Sequence, residues 1–416
     1  MEPPPATPSP FARPGRDAGA TGALPVPLPQ RTAPWVQLRY HAYHPHVYRS
    51  MVGEHSPGIR AGAMVAVYDK EGRPFGTGFC NLGAKVALRV FHHGAEFVDE
   101  EFLLRRLRDA AALRREWLRL DGVTDAYRVV HADGDGLGGL VVDRYADTLS
   151  LEVTSLAVFQ RLPRWLPVLH ECLGTTRAVV QVDETIARVE GIDTRLVPPA
   201  DVRTVKILEN GVRYHVDFAG GHKTGFFCDQ RDNRLKLASL AKGRRVLDIC
   251  CYTGGFTLSA RHAGAEDVTG VDLDEKAVAL ARANANLNQL RANFVHADAF
   301  SYMRQMQRNG AKWDVVLLDP PKFVDGRDAM EDGRKKYNDL NVLGMQLVAP
   351  GGLFVTCSCS GLLPPDEFEE IVVKAAHRYG KRLQIFDRTG AGADHPAFSN
   401  YPASRYLKVL WARIVA

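Results

Sequence analysis

No stretch of this chain approaches the roughly 20 consecutive apolar residues that a membrane-spanning helix requires. No membrane partner is therefore expected. Cysteine is scarce: seven residues in 416, an odd number, with no Cys-x-x-Cys pair and no regular spacing. That pattern excludes a disulfide framework and a structural zinc site, so no metal is expected, and it suits a reducing cytoplasm. A large excess of one charge is missing too. The net charge of +5 permits an RNA partner without requiring one, because the arrangement of charge matters more than its sum. Residues 1–34 lack a hydrophobic signal core and are rich in Pro, Ala and Gly. Such a segment cannot bury enough apolar area to offset its chain entropy and reads as a disordered tail. Its prolines also break the Arg-rich amphipathic helix of a transit peptide. Nothing in the composition sets the oligomeric state, and a homodimer is left open.

Hydrophobic residues make up 45% of the chain and charged residues 24%, the proportions of a globular protein. The length exceeds one ordinary core, so two or three domains are expected. Over residues 35–100, short β runs are broken by glycines. Met64–Tyr68 is a strand, Asp69–Gly72 a turn, and Phe75–Phe79 resumes the sheet, the pattern of a small β-barrel. Residues 101–203 read as a small α+β domain. Its first element, Phe102–Leu120, spaces Leu103, Leu107 and Leu118 helically and carries Arg105, Arg106, Arg108, Arg114, Arg115 and Arg119. The plain reading is a solvated face partly neutralised by Glu100, Glu101, Asp109 and Glu116; the sharper one is a phosphate-contacting helix. From Val129 to about Val197 the order reads strand, strand, helix, strand, strand. Gly134–Gly139 opens a strand rather than a helix, so it is a turn and offers a phosphate no helix N-terminus.

Residues 204–416 begin with a hairpin, Ile207–Phe218, turning at Asn210-Gly211. Strands then alternate with helices: Val246–Ile249, Asp267–Asp272, Phe294–His296, Val315–Leu318, Leu353–Cys357, Leu383–Phe386 and Tyr406–Trp411, with helices that include Glu275–Asn288 and Asp366–Tyr379. The alternation predicts a doubly wound, mostly parallel α/β sheet. Ligands of such sheets bind outside the carboxyl ends of the strands.

Three of those ends form a nucleoside pocket. The loop after the first strand holds Asp248, Tyr252, Thr253, Gly254, Gly255 and Phe256, and its two glycines let the backbone approach a ligand closely. The loop is not Gly-x-Gly-x-x-Gly, which favours a smaller adenosine cofactor over a dinucleotide. Asp272 ends the second strand, where a carboxylate accepts ribose hydroxyls. Asp298 and Ala299 follow the third as an adenine pocket, although Asp298 in that place equally caps a helix. Together these residues point to S-adenosylmethionine. Asp319-Pro320-Pro321-Lys322-Phe323 ends the fourth strand and Thr356-Cys357-Ser358-Cys359-Ser360 the fifth. A carboxylate and a thiol at one sheet edge suit covalent attack on an electrophilic ring. Cys357 and Cys359 are two apart and face the same side of an extended strand, so geometry alone does not choose between them.

The glycine loop, Asp272, Asp298 and Asp319–Phe323 resemble class I methyltransferases. Gly221–Arg234, Ser358-Cys359-Ser360-Gly361, Ala393-Asp394-His395-Pro396, Tyr401-Pro402 and Tyr406-Leu407-Lys408 narrow the likeness. From about Tyr40 onward the chain resembles the bacterial family that methylates carbon 5 of a cytosine in large-subunit ribosomal RNA. The resemblance implies an RNA-binding PUA barrel and a small α+β domain, followed by a Rossmann-like methyltransferase domain with a mixed seven-stranded sheet. It also implies S-adenosylmethionine as cofactor and large-subunit rRNA as partner. The barrel's His-Pro-Trp stretch stands here as His44-Pro45-His46-Val47-Tyr48, without the tryptophan.

The resemblance makes Cys359 the nucleophile, attacking carbon 6 so that carbon 5 can take a methyl group. Asp319, which also borders the cofactor, would stabilise the protonated ring nitrogen. Pro320, Pro321, Lys322 and Phe323 are expected beside the target base, and Lys223, Gln230 and Arg231 match a stretch bordering the site. All seven are binding candidates. The base that removes the carbon 5 proton is left unassigned, because Pro321 and Lys322 stand where some other RNA cytosine methyltransferases carry a second cysteine. Two rival readings remain. One is a methyltransferase acting on uracil or on a purine nitrogen, the latter needing no thiol. The other is a non-catalytic RNA-binding assembly factor, which would have no reason to keep both Asp319 and Cys359.

Overall fold

A computed structural model describes residues 31–40, 43–200, 202–218 and 225–415. The expectation for the N-terminal tail falls almost wholly outside the described residues, and Lys223 does so entirely. Six strands open the fold: β1 (Trp35–Leu38), β2 (His46–Tyr48), β3 (Val52–His55), β4 (Ala63–Tyr68), β5 (Pro74–Cys80) and β6 (Val86–His93). They form one sheet in the order β2-β6-β5-β4-β1-β3. Gly76 and Gly78 are required there, because a Cβ on either would meet the His92 or Arg89 carbonyl oxygen of β6 at 2.1 or 2.9 Å.

Helix α1 (Glu100–Ala112) follows, capped by the Asp99 side chain, which accepts from the Phe102 N–H. Strands β7 (Ala126–His131), β8 (Leu140–Tyr145), β9 (Thr148–Val153) and β10 (Arg177–Gln181) make a second sheet, with α2 (Leu156–Leu173) between the last two. This differs from the sequence expectation in two places. A third strand, β9, precedes the helix, and the last element is the helix α3 (Glu184–Glu190). Asp183 explains the latter, since its carboxylate accepts from the Thr185 and Ile186 amides and starts a helix where apolar content alone suggests a strand. Phe79 and Phe91 of the first sheet share one apolar core with Leu103, Leu107, Val129, Leu140, Leu151 and Trp165, so packing runs across residue 100 without a seam.

The arginine-rich helix is not uniformly a solvated face. After α1 the backbone widens into a π-turn at Leu113–Trp117. There Arg114 is fully buried, and all five of its N–H donors are used. Two go to the Asp135 carboxylate at 2.6 and 2.9 Å, and the others to the carbonyls of Asp394, Arg128 and Ala110 at 2.6, 2.9 and 3.2 Å. Removing one partner of a buried pair leaves the other charge uncompensated. Arg114→Met is therefore expected to lower the unfolding free energy by about 3–5 kcal/mol, read as a smaller urea midpoint at unchanged slope.

The hairpin β11 (Thr204–Glu209) and β12 (Val212–Asp217) turns at Asn210 and Gly211, whose φ values of 48° and 84° bear out the Asn-Gly reading. The large sheet comprises β13 (Arg245–Ile249), β14 (Asp267–Asp272), β15 (Asn293–His296), β16 (Trp313–Leu318), β17 (Val348–Ser358), β18 (Arg382–Thr389) and β19 (Lys408–Val415). Its order is β15-β14-β13-β16-β17-β19-β18, with β13 to β17 parallel and β19 antiparallel to both neighbours. The helices are α4 (Arg231–Ala241), α5 (Gly255–His262), α6 (Glu275–Leu287), α7 (Ala299–Arg308), α8 (Met330–Gln346) and α9 (Pro365–Arg378). Val246, Val315 and Leu317 enter one core, while Leu247, Val316 and Leu318 enter another, so both faces of the sheet are covered. The α/β expectation is met. The chain winds outward from β13 to β15 and then returns to β16. Strand order reverses between β13 and β16, and open sheets of this kind form their ligand crevice at the carboxyl ends that flank such a reversal. Among the described residues no helix is long and apolar enough to cross a membrane.

Candidate active site

The β13–α5 loop is built under backbone strain. Cys250 and Tyr252 hold φ of 67° and 49°, left-handed values that residues with a Cβ rarely adopt. Gly254 sits at φ 84°, and a Cβ there would press on the Phe294 ring at 3.0 Å. Asp272, at the end of β14, fixes this shape by accepting the Tyr252 amide at 2.8 Å and the Asp274 amide at 2.9 Å. Beneath the loop, Asp248 accepts from the Thr257 amide and hydroxyl through Oδ2, at 3.0 and 2.6 Å. Its Oδ1 has no hydrogen-bond partner, and neither has the Thr253 hydroxyl, although both residues are buried. Burial raises the Asp248 carboxyl to about 7, against the two Thr257 hydrogen bonds that lower it. Orphaned buried polar atoms are costly unless a ligand meets them. An acceptor and a hydroxyl beside a glycine turn are the donor set that an amino-acid-bearing nucleoside such as S-adenosylmethionine needs.

Asp298 caps α7, its Oδ1 accepting the Ser301 amide at 2.8 Å, and Ala299 begins that helix, half-buried. Phe256 turns inward among Leu237, Val246 and Val315, so it supports the loop from the core.

Across the crevice, Asp319 follows β16, with its Oδ1 accepting from Gln230 Nε2 at 3.0 Å. The Cys357 thiol is among the groups that act on it. Burial, then the nearby Asp229 and Asp248 carboxylates, push the Asp319 carboxyl up to about 7. Cys357 itself is fully enclosed at the end of β17, and burial followed by the Asp319 charge holds its thiol well above the usual range. Cys359 lies one residue past the strand's last pair, Ser358 with Lys408, and is only partly buried. Its Sγ stands 4.0 Å from the Pro320 carbonyl oxygen.

The two loops are tied together. Ser360 Oγ accepts the Val324 amide at 3.1 Å, and the Tyr337 hydroxyl bonds Ser358 and Ser360 at 3.0 and 2.9 Å. The Phe323 ring packs tilted against Tyr337, at 56°, with ring centroids 4.9 Å apart. Pro321 and Lys322 are exposed, Lys322 lying 3.6 Å from Asp325, whereas Pro320 is buried.

Gln230 and Arg231 face inward. Gln230 Oε1 accepts Asn233 Nδ2 at 2.7 Å, and Asn233 in turn holds Thr389, forming a polar chain beneath Asp319. Arg231 is 2% exposed and pairs with Asp394 through two bonds of 2.9 Å. Asp229, Tyr337, Tyr406 and Lys408 are site neighbours that sequence reasoning gave no role. Asp229 Oδ2 accepts the Tyr406 hydroxyl at 2.6 Å, while its Oδ1 has no partner. Asp229, Tyr406 and Lys408 had only their membership of the motif stretches at 221–234 and 406–408 as a signal, and Tyr337 had none.

A reversed strand order, a strained glycine loop and an acid–thiol pair across one crevice define a class I methyltransferase site. The S-adenosylmethionine-dependent methyltransferase family model matches residues 194–410, and a PUA-like domain model matches residues 37–93. A relative from Tolumonas auensis named ribosomal RNA large subunit methyltransferase I is 37% identical, over 89% of this chain and 96% of its own length. Its namesake from Salmonella paratyphi B is 34% identical, over 89% of this chain and 94% of its own. The chain belongs to this S-adenosylmethionine-dependent family, the large subunit methyltransferase I proteins. The fold is shared with SMU.776, solved in complex with SAH, at a TM-score of 0.73 and 23% identity over 86% of this chain and 93% of that one.

Proposed function

We propose that the protein forms 5-methylcytidine in large-subunit ribosomal RNA through a covalent adduct of Cys359. The observation that carries this reading is the pairing of Cys359, the accessible thiol of the two at the end of β17, with an Asp319 whose carboxyl is raised to about 7. The relatives named for large-subunit rRNA support the substrate class, and such a substrate fits the reducing cytoplasm expected from the cysteine pattern.

Carbon 5 of cytosine is a weak nucleophile. When the Cys359 thiolate bonds to carbon 6, the electron pair of the ring's 5,6 double bond moves through carbon 4 to N3. N3 takes the proton that Asp319 holds at neutral pH, and the ring becomes an enamine. When bound, S-adenosylmethionine supplies an electrophilic methyl group on a sulfonium. Asp248, Thr253, Gly254, Gly255 and Asp272 would hold it, with Asp298 and Ala299 at the adenine. Loss of the carbon 5 proton and expulsion of the thiolate then restore the aromatic ring and return the N3 proton to Asp319. A neutral Asp319 also favours cytosine over uracil, since cytosine N3 is an acceptor and uracil N3 already carries a hydrogen. Pro320 and Phe323 shape the base side of the crevice, and Lys322 reaches solvent where a phosphate can meet it. Gln230 and Arg231 act from within, Gln230 aiming Asp319 and Arg231 fixing the Asp394 loop.

Nucleoside mass spectrometry on unmodified large-subunit rRNA, incubated with the protein and S-adenosylmethionine, tests the reading. A gain of 5-methylcytidine is expected. A gain of 5-methyluridine or a methylated purine instead would overturn it.

A further inference from the structure

Two motifs of the sequence have no part in the crevice: the arginines of α1 and the glycine run at 134–139. They meet at a cavity of about 360 Å³, within the range of about 300–1,000 Å³ that small ligands occupy. Its walls are Arg89–His93 of β6, Arg106 of α1, Gly136 and Gly138 before β8, and Phe398 and Asn400 between β18 and β19. The first sheet, the second sheet and the catalytic domain thus each supply a wall. Both glycines are required. A Cβ on Gly136, at φ 69°, would press on the Phe398 ring at 3.0 Å, and one on Gly138 would strike the Asp133 carboxylate at 2.5 Å.

Two charges in the wall are already engaged. Arg89 pairs with Glu190 at 2.9 Å, and Asp133 bonds His46 Nε2 at 3.0 Å. Burial holds His92 and His93 below the usual imidazole value, so both rings are uncharged at neutral pH. Arg106 is different, for it has no ion pair among the described residues. Its guanidinium carbon lies 5.1 Å from the Phe102 ring centre and 5.5 Å from that of Phe398. Rings hold a guanidinium by its face and leave the N–H donors at its edge for a phosphate.

Exposed aromatic surface lies beside this cation. Phe398 is 37% exposed, and Asn400 Nδ2 donates to the carbonyl of Tyr43, which is 67% exposed. The Tyr43 ring also packs on His93, with centroids 5.7 Å apart. A held cation among exposed rings is the pairing that captures unpaired nucleotides, the phosphate on the cation and the base on a ring.

We propose that this cavity binds one unpaired nucleotide of the RNA, with its phosphate on Arg106 and its base stacked on Phe398. The cavity shares no residue with the crevice, so it reads RNA structure rather than the base to be methylated. The proposal rests on RNA being the substrate and holds whichever base receives the methyl group.

Fluorescence anisotropy with a short, end-labelled single strand of RNA, titrated at several KCl concentrations, reads both contacts. Folding of each variant is checked by far-UV circular dichroism. Arg106→Gln is expected to weaken binding about fivefold and to lower the slope of log Kd against log salt by about 0.7, the share of one phosphate. Arg106→Lys, which keeps the charge, should keep the slope. Phe398→Leu is expected to weaken binding about tenfold at unchanged slope, the order expected for one stacked base. On a fully paired duplex of the same sequence, whose bases stay in their own stack, the Phe398→Leu loss should vanish. Unchanged affinity in both folded variants overturns the proposal. So does a salt slope that Arg106→Gln leaves unaltered, or a Phe398→Leu loss that is equal on duplex and single strand. If binding shifts as expected while the rRNA gains a methylated purine, the nucleotide site stands and the 5-methylcytidine reading fails.

Discussion

Cys359→Ser is expected to reduce methyl transfer to rRNA by at least about a thousandfold, because a hydroxyl at that position has no thiolate form to attack carbon 6. The neighbouring substitution, Cys357→Ser, is expected to keep activity within about tenfold. Cys357 is fully enclosed, out of reach of a target base, and a serine hydroxyl is small enough to take its place beside Asp319. The contrast matters more than either value, since both residues belong to the same strand end and both substitutions remove one sulfur. RNA carrying 5-fluorocytosine provides a second readout. Fluorine at carbon 5 cannot leave as a proton does, so the sulfur–carbon bond persists and a denaturation-resistant adduct accumulates. That adduct should form in the wild type and in Cys357→Ser, and be absent in Cys359→Ser. Full turnover by Cys359→Ser would end the covalent reading.

Asp319→Asn should lower kcat by about 10²- to 10⁴-fold, the range associated with removing a positioned general acid. The amide still donates a hydrogen bond to N3 but has no proton to transfer. The pH dependence gives the sharper signature. With the carboxyl raised to about 7, Asp319 carries its proton below that value and loses it as pH rises through it. The acid-dependent step therefore weakens above about pH 7, while the Cys359 thiolate becomes more abundant in the same direction. A bell-shaped profile of kcat/KM is expected, with its alkaline limb belonging to Asp319. In Asp319→Asn the residual rate should rise with pH and show no such limb. A variant that kept the alkaline limb would assign it to another group.

Much of the catalytic sheet is legible in the sequence because its strands are buried on both faces. Val315–Leu318 is a continuous apolar run, Val246–Ile249 is apolar but for Asp248, and Asp267–Asp272 ends at the observed residue, since a carboxylate at the sheet edge stops the run. The candidate cofactor residues gather at one edge for the same reason. What the sequence does not reveal is which way a polar side chain turns. Gln230 and Arg231 lie in a motif that borders the site, yet both point into the protein, because Arg231's partner Asp394 is 163 residues away. Arg114 shares its helical spacing with exposed arginines, and its partners Asp135 and Asp394 lie outside any local window. The choice between Cys357 and Cys359 turns on depth, which depends on where the pairing of β17 with β19 stops.

Asp394 has a mechanical consequence. Its carboxylate grips Arg231 at the head of α4 and the Arg128 amide in β7, while its carbonyl takes Arg114 beyond α1. A Cβ on Gly134 would strike the Pro396 carbonyl at 2.0 Å, so the turn before β8 is seated on the same loop. The β7–β10 sheet and helix α4 of the catalytic domain are thus pinned at one buried residue. The protein works as a caliper with locked jaws: the span from the first sheet to Cys359 is set by folding. On the proposed reading, an RNA that touches both would have to match that span.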